Sequence, residues 1–332
     1  PPPVVRGPPS NDHHHGPVIW PNDKGRIQVL AGCHKTPGLH LISREPSDIG
    51  HSIEDWTYGR WVAPSLSYPS FFRLPGDRVL VYYRTYGHPS SWTYRITHNN
   101  GITWNAPEHD VTDLDSAGAL DWSSYHTVQP GPEGRFLHVV FVAYDDNKAE
   151  DPERFYNPRY QQYFLNGGQK YNLYYLRIDL ESGEVTNDMG ELLVTPIHRD
   201  QADEACRIWD TDWRYTNIPP AIAFDAKGEP VFLHILSGKT FDSFTYYFVA
   251  KRNDEWVQIP IAPSNHSWNG GHLERRPDGS WRALLVVRGP VLDPQQRMDQ
   301  HGGGRIEEWV SNDDGHTWSP VRDITPDSPL YE

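Results

Sequence analysis

Five segments of the chain repeat one phrase. Each holds a turn with Gly beside Asp or Glu, then a strand-length run in which apolar and polar residues alternate. They are residues 21–32 (PNDKGRIQVLAG), 74–84 (LPGDRVLVYYR), 131–144 (GPEGRFLHVVFVAY), 224–236 (FDAKGEPVFLHIL) and 276–288 (RPDGSWRALLVVR). Alternation at period two marks a strand with one face in a core. Shorter apolar runs flank each phrase, such as GPVIW and LHLISRE around the first and PAIAF and FTYYFVAK around the fourth. Three or four strands per unit, returning every 45–60 residues or so, form the sequence signature of propeller blades. The pattern predicts an all-β fold, a β-propeller with five readable blades. Residues 145–169 read as a polar loop.

Two further segments match the Asp-box pattern S/T-x-D/N-x-G-x-T-W. One runs through Thr97, Asn99, Gly101, Thr103 and Trp104, the other through Ser311, Asp313, Gly315, Thr317 and Trp318. The Asn or Asp is expected to bond the turn's own backbone, the Gly to take the positive-φ position, and the Trp to pack between blades. Such turns serve structure and do not identify chemistry.

Composition narrows the picture. Apolar residues make up 37% of the 332, while there are 13 Trp and 18 Tyr. That balance suits many short strands with aromatic-lined surfaces and argues against a helical bundle. No apolar run approaches the roughly 18 residues that would span a membrane. The net charge of −14 speaks against nucleic acid as a partner and requires that any polyanionic substrate meet a local cluster of basic groups. Cys33 and Cys206 allow either one disulfide or two buried thiols. Residues 1–12, rich in proline, read as a flexible leader, and residues 13–332 as a single propeller domain. A monomer is expected. Secretion or export to a periplasm is permitted, with no signal peptide visible in the chain.

Candidate chemistry lies near the start. Asp12, His13, His14, His15 and Pro17 precede the first strand, and Gly32, Cys33 and His34 close the next. Tyr68 then precedes Pro69, and Arg84 ends a strand. His14 and His34 stand 20 residues apart, and Tyr68 and Arg84 stand 16 apart. Taken singly, a tyrosine before proline on a strand is more often a packing residue, and an arginine at a strand end more often a salt-bridge partner.

This layout, with its separations, resembles the ulvan lyases of polysaccharide lyase families 24 and 25 and the BNR-repeat propellers around them. The similarity of pattern extends to Trp268-Asn-Gly270-Gly271 and the second Asp box. The resemblance implies seven blades. It also implies β-elimination of a uronate-containing, sulfated, ulvan-like polysaccharide, leaving a 4,5-unsaturated uronate. The residues suit that chemistry. Arg84 would grip the uronate carboxylate and spread the charge that develops when the C5 proton leaves. His14 or His34 would take the proton. Tyr68 would protonate the leaving O4, or act as base as well if Arg84 depresses its pKa. Tyr125, His126 and His13 would line the substrate. The elimination itself requires no cofactor.

A structural zinc at His198, Cys206 and His234, or a structural calcium, is a further expectation, from ligand types rather than spacing. The acidic doublets Glu54-Asp55, Asp203-Glu204 and Glu307-Glu308 could instead serve a hydrolase acting, for example, on rhamnose next to glucuronate. Adjacent acids on a strand face opposite ways, so these read as solvated surface. No trio of arginines stands out as in a sialidase. A non-catalytic carbohydrate-binding propeller is the remaining alternative.

Overall fold

The computed structural model describes residue 14 and residues 16–76, 78–87, 90–113, 123–144, 170–212, 214–239, 243–287 and 303–325, with the backbone of 154–157 and 162–165. The proposed leader and His13 lie outside these residues. The described fold is all-β, with five antiparallel sheets of four or five strands and one two-stranded ribbon, Arg154–Asn157 with Gln162–Leu165. Helix among the described residues is confined to short pieces such as Ile53–Asp55, Arg199–Gln201 and Ala202–Cys206. None of the described helices is long and apolar enough to cross a membrane. The chain's contacts fall into two compact units, residues 1–119 with 193–199, and residues 120–192 with 200–332.

The first unit holds two sheets. One runs Val18–Pro21, Arg26–Ala31, Leu39–Pro46, Trp56–Tyr58 in spatial order. The other runs His34–Thr36, Leu66–Leu74, Arg78–Arg84, Trp92–Thr97. Their shared core joins Trp20 and Leu30 from the first with Leu66, Val79, Val81 and Tyr83 from the second.

The second unit holds three sheets. The third sheet has Ser123–Pro130, Phe136–Tyr144, Lys170–Asp179 and Val185–Thr186, with Arg207–Trp209 also paired to Lys170–Asp179. The fourth has Ala221–Phe224, Pro230–Ser237, Phe244–Arg252 and Glu255–Ser264. The fifth has Gly271–Arg275, Trp281–Val287, Arg305–Ser311 and Ser319–Asp323.

Each of the five sequence phrases becomes an interior strand of its own sheet. Position in the sheet explains one departure from the predicted alternation. All eight residues of Pro230–Ser237 are buried, and so are eight of the nine in Phe136–Tyr144. These strands are covered on both faces and so carry near-continuous apolar runs. Ser319–Asp323, at a sheet edge, is exposed throughout.

Both Asp boxes form as expected. In the second, Ser311 Oγ donates to Asp313 Oδ1 at 2.7 Å and accepts from the Gly315 amide at 2.8 Å. The Thr317 amide donates to Asp313 at 2.9 Å. These bonds, that from the Thr317 hydroxyl foremost, hold the Asp313 carboxyl down to about 2. Gly315 sits at φ +87°, and a Cβ there would fall 2.4 Å from the Phe248 ring. Only glycine fits both demands. Trp318 packs on Phe248 with centroids 5.6 Å apart, while Trp104 of the first box sets its edge to Phe71 at 6.4 Å.

The Glu307-Glu308 doublet is not solvated surface. Both residues are buried, because both faces of Arg305–Ser311 are covered. Glu307 accepts the Trp309 indole N–H at 2.9 Å. Glu308 is ringed by three arginines, Arg276 in direct hydrogen bond, Arg282 at 3.0 Å and Arg322 at 2.6 Å. The hydrogen bond from Arg322 first, and then the charges of Arg282, Arg322 and Arg276, keep its carboxyl below the usual range.

Glu308 is buried, but its three arginines still reach solvent, so they are not left as buried charges when it is removed. Glu308→Gln is therefore expected to cost about 1–3 kcal/mol in denaturant unfolding; a loss below about 0.5 kcal/mol would contradict the assignment.

Burial also holds two histidines neutral. The His138 ring, bonded to the Tyr175 hydroxyl at 2.7 Å, is pushed down to about 4 by burial and then by Arg177. His234 is pushed down to about 3 by burial and then by Arg214. Below the ordinary 6.5, the unfolded chain binds protons that the fold refuses. The unfolded state then holds more protons, so stability rises with pH and is lost as pH falls from 6.5 towards 4. Thermal midpoints are expected to drop over that interval, and His138→Gln to make the slope shallower. An unchanged slope in the variant would refute the role given to His138.

Candidate active site

Ser67, on the strand Leu66–Leu74, has His34 as its partner on one side and Arg84 on the other. Three neighbouring strands of the second sheet thus bring His34, Ser67 and Arg84 into one row. The ladder is interrupted on both sides of that row. Pairing steps from His34↔Ser67 to Thr36↔Leu66, so Lys35 is an extra residue. It steps from Ser67↔Arg84 to Ser70↔Tyr82, so the Tyr68-Pro69 pair spans a second bulge. Bulges bend a strand and re-aim its side chains.

Lys35 has φ +62° and Tyr68 has φ +54°. A left-handed backbone is rare for a bulky residue and is disfavoured further before proline. The unusual backbone redirects the Tyr68 ring from the regular strand positions towards its neighbours.

Those neighbours are the other candidates. His14 lies four residues before the strand Val18–Pro21. The rings of His14 and His34 lie 4.5 Å apart between centroids. His14 meets Tyr68 edge-on at 5.4 Å, and His34 meets it at 5.9 Å. The Arg84 guanidinium carbon stands 4.8 Å from the centre of the Tyr68 ring. Trp92 stacks near-parallel to Tyr68 at 6.5 Å and to Tyr82 at 5.8 Å. His14, His34 and Tyr68 are half-buried, whereas Arg84 is 0% exposed. A cation against a π-face in so dry a setting is worth about 2 kcal/mol. The four residues named from spacing therefore converge, with two imidazoles and a phenol at the surface and a guanidinium beneath.

The remaining candidates fare differently. Tyr125 and His126 are successive residues of Ser123–Pro130, so they face opposite sides of the third sheet and cannot line one surface together. His126 stacks on Phe141 at 4.7 Å and bonds Ser124 Oγ at 2.7 Å. Tyr125 faces Tyr144 edge-on at 5.6 Å, and the Lys170 ammonium lies 4.8 Å from its centroid.

The metal expectation finds no support in the geometry. Among the described residues no three His, Cys, Asp or Glu side chains gather as ligands. His198 is exposed and bonds the Asp113 carbonyl through Nδ1 at 2.6 Å. Cys206 is a buried free thiol that burial pushes up to about 12. Cys33 is likewise free, buried and pushed up to about 12.

In each of the other two acidic doublets one member is engaged locally. Asp55 caps its own helical turn by accepting the His51 and Ser52 amides, and Asp203 accepts the Tyr174 hydroxyl at 2.7 Å. The three arginines that do meet on one carboxylate, Arg276, Arg282 and Arg322, are engaged by the chain's own Glu308.

Sequence reasoning passed over Ser67, Trp92 and Lys170. Ser67 stood beside Tyr68 in the sequence, but its role depends on which residues it meets across two strands. Lys170 is buried, with its ammonium 4.8–5.0 Å from the ring centres of Tyr125, Tyr144 and Trp268. Its aromatic neighbours come from three separate strands and loops, so no local motif announces them.

Comparison with known proteins fits this picture. The chain is 24% identical over 236 residues to an ulvan lyase of Nonlabens ulvanivorans, covering 66% of this chain and 47% of that protein. It is 24% identical over 241 residues to a PL25 ulvan lyase of Pseudoalteromonas sp. (strain PLSV), covering 66% and 45%. The chain thus spans about half the length of the curated relatives it matches. Among solved structures, a PL25 ulvan lyase bound to -[GlcA(1-4)Rha3S]- superposes with a TM-score of 0.75 at 20% identity, over 97% of this chain and 72% of that one. The polysaccharide lyase Uly1 gives 0.61 at 12% identity, over 95% and 70%. At such identities these structures establish a shared fold. Residues 5–264 match the BNR repeat-containing family, and the chain belongs to that family.

Proposed function

We propose that the chain is a polysaccharide lyase that cleaves an ulvan-like, uronate-containing and sulfated polysaccharide by β-elimination. The observation that carries the reading is the convergence of His14, His34 and Arg84 on Tyr68, whose left-handed backbone turns the phenol into the group. The likeness to ulvan lyases supports it, and so does the sugar named in the PL25 complex.

The reaction needs two proton transfers at one glycosidic linkage. A base removes the proton on C5 of the uronate. The C5–H electron pair becomes the C4=C5 double bond, and the C4–O4 bond breaks with its pair on O4. An acid then delivers a proton to O4. His14 and His34 supply imidazoles for the first step, and Tyr68 supplies a proton for the second. Because the two histidines and the tyrosine share one group, Tyr68 could also take the C5 proton and return it to O4.

Arg84 lies beneath the ring, so its first effect is on the phenol: a guanidinium there favours negative charge on the oxygen as the proton leaves. The same charge favours the anionic uronate and offsets, locally, the chain's net −14. Exposed Lys35, next to His34, adds to it.

The five larger sheets are read as blades of a β-propeller, seven in all on the family resemblance, with the two Asp boxes as blade-rim turns. Export from the cell follows from a substrate too large to enter, and a monomer suffices because one unit supplies all four groups. The chemistry asks for no cofactor.

Incubation with ulvan is expected to yield oligosaccharides with a new ultraviolet enoate absorbance and an unsaturated uronate by mass spectrometry. A new reducing sugar without unsaturation would refute elimination, and binding without product would refute catalysis. Tyr68→Phe is expected to lower kcat at least about 100-fold while the melting temperature holds. Turnover near that of the wild type in this variant would remove Tyr68 from the mechanism. Because Arg84 is fully buried, Arg84→Lys is the better probe there: it keeps the charge and loses the planar fork, and a loss of about 10-fold or more in kcat is expected.

A further inference from the structure

We propose that Ser67 is a positioning residue, whose hydroxyl sets the backbone from which His34 and Tyr68 reach the substrate. The proposal rests on the lyase reading for its catalytic consequence, but its geometric content stands on the sheet alone.

Ser67 is 0% exposed and sits between the two bulges. A bulge leaves ladder groups without their usual partners, and Pro69 has no N–H to offer. The Ser67 hydroxyl bonds a backbone group on either side of its strand. Its Oγ accepts the amide of Lys35, the left-handed residue just after His34, at 3.0 Å. It donates its proton to the carbonyl of Tyr86, two residues past Arg84, at 2.7 Å. One side chain thus clamps the strand that carries His34 and the strand end that carries Arg84. The next residue along its own backbone is Tyr68. Three of the four converging residues therefore lie within two residues, along the chain, of this serine or of a group its hydroxyl bonds.

The first sheet contains a control. Ser43 is also 0% exposed and also beside a bulge, between Arg26 and Gln28. Its Oγ accepts the Ile27 amide at 2.9 Å and donates to the Glu45 carbonyl at 2.8 Å. The chemistry matches that of Ser67, yet none of the candidate residues is attached to it. A purely structural role would make the two serines equivalent.

The experiment compares Ser67→Ala and Ser43→Ala with the wild type on ulvan. Each variant removes the partner of one amide and one carbonyl in part-buried hydrogen bonds, so similar drops in melting temperature are expected. In Ser67→Ala, kcat is expected to fall about 10- to 100-fold with KM held within about twofold, as befits a misplaced proton donor and acceptor. Ser43→Ala should keep its turnover, and Ser67→Thr, which restores a hydroxyl, should recover most of the loss. If Ser67→Ala does not fold, Ser67→Cys replaces it, being close in volume and only a weak donor.

Carbon-13 labelling of tyrosine and histidine supplies a reading free of activity. The Tyr68 Cα shift, which reports its left-handed φ, and the His34 ring shifts should move in Ser67→Ala and stay put in Ser43→Ala. Equal kcat values for the two alanine variants at matched stability would overturn the proposal, as would unmoved Tyr68 and His34 resonances. If the wild type makes no unsaturated product, the lyase reading falls, and the resonances decide the case for Ser67 by themselves.

Discussion

A tyrosine held at φ +54° in front of a proline is the constraint on which the site depends. Such a backbone costs about 1–3 kcal/mol and survives only where its surroundings over-determine it. Here they do. The ring is stacked beside Trp92, underlain by Arg84 and met by two imidazoles, while the flanking Ser67 is paired on both edges. Relaxing Tyr68 to an ordinary strand conformation would return the ring to the sheet's regular face and scatter the group. The strain and the convergence are one feature, seen first in the backbone and then in the side chains.

Charge reinforces the point. The chain is acidic overall, and Arg276, Arg282 and Arg322 are engaged by Glu308. Lys170 is likewise turned towards aromatic rings in the second unit. The group around Tyr68 combines a buried guanidinium with half-buried imidazoles, which is the balance an anionic sugar undergoing proton transfer requires.

Much of the fold was legible because it is written locally. Gly-turn phrases and alternation name the interior strands, and the Asp boxes name two turns down to single hydrogen bonds. The four converging residues were legible through their spacing and the family it resembles. What escaped depends on two strands at once. A bulge is one extra residue with no period of its own, so neither Lys35 nor Tyr68 betrays its φ in the sequence, and Ser67 cannot be recognised before its partners are known. The period-two rule separates Tyr125 from His126, yet proximity in sequence had grouped them. Glu307 and Glu308 were misread because the rule that sends neighbours to opposite faces says nothing about whether both faces are covered. The zinc reading counted ligand types, and among the described residues no three such side chains share a position.

The central claim is that Tyr68 and the groups around it are where the sugar reacts. A crystal structure of the Tyr68→Phe variant with a sulfated rhamnose–glucuronate oligosaccharide tests it most directly. The account predicts a uronate whose C5 lies within about 3–3.5 Å of a ring nitrogen of His14 or His34 or of the site left by the phenol oxygen, its carboxylate towards the Arg84 side. An oligosaccharide seated on another surface, with His14, His34 and the residue-68 ring untouched, would contradict it.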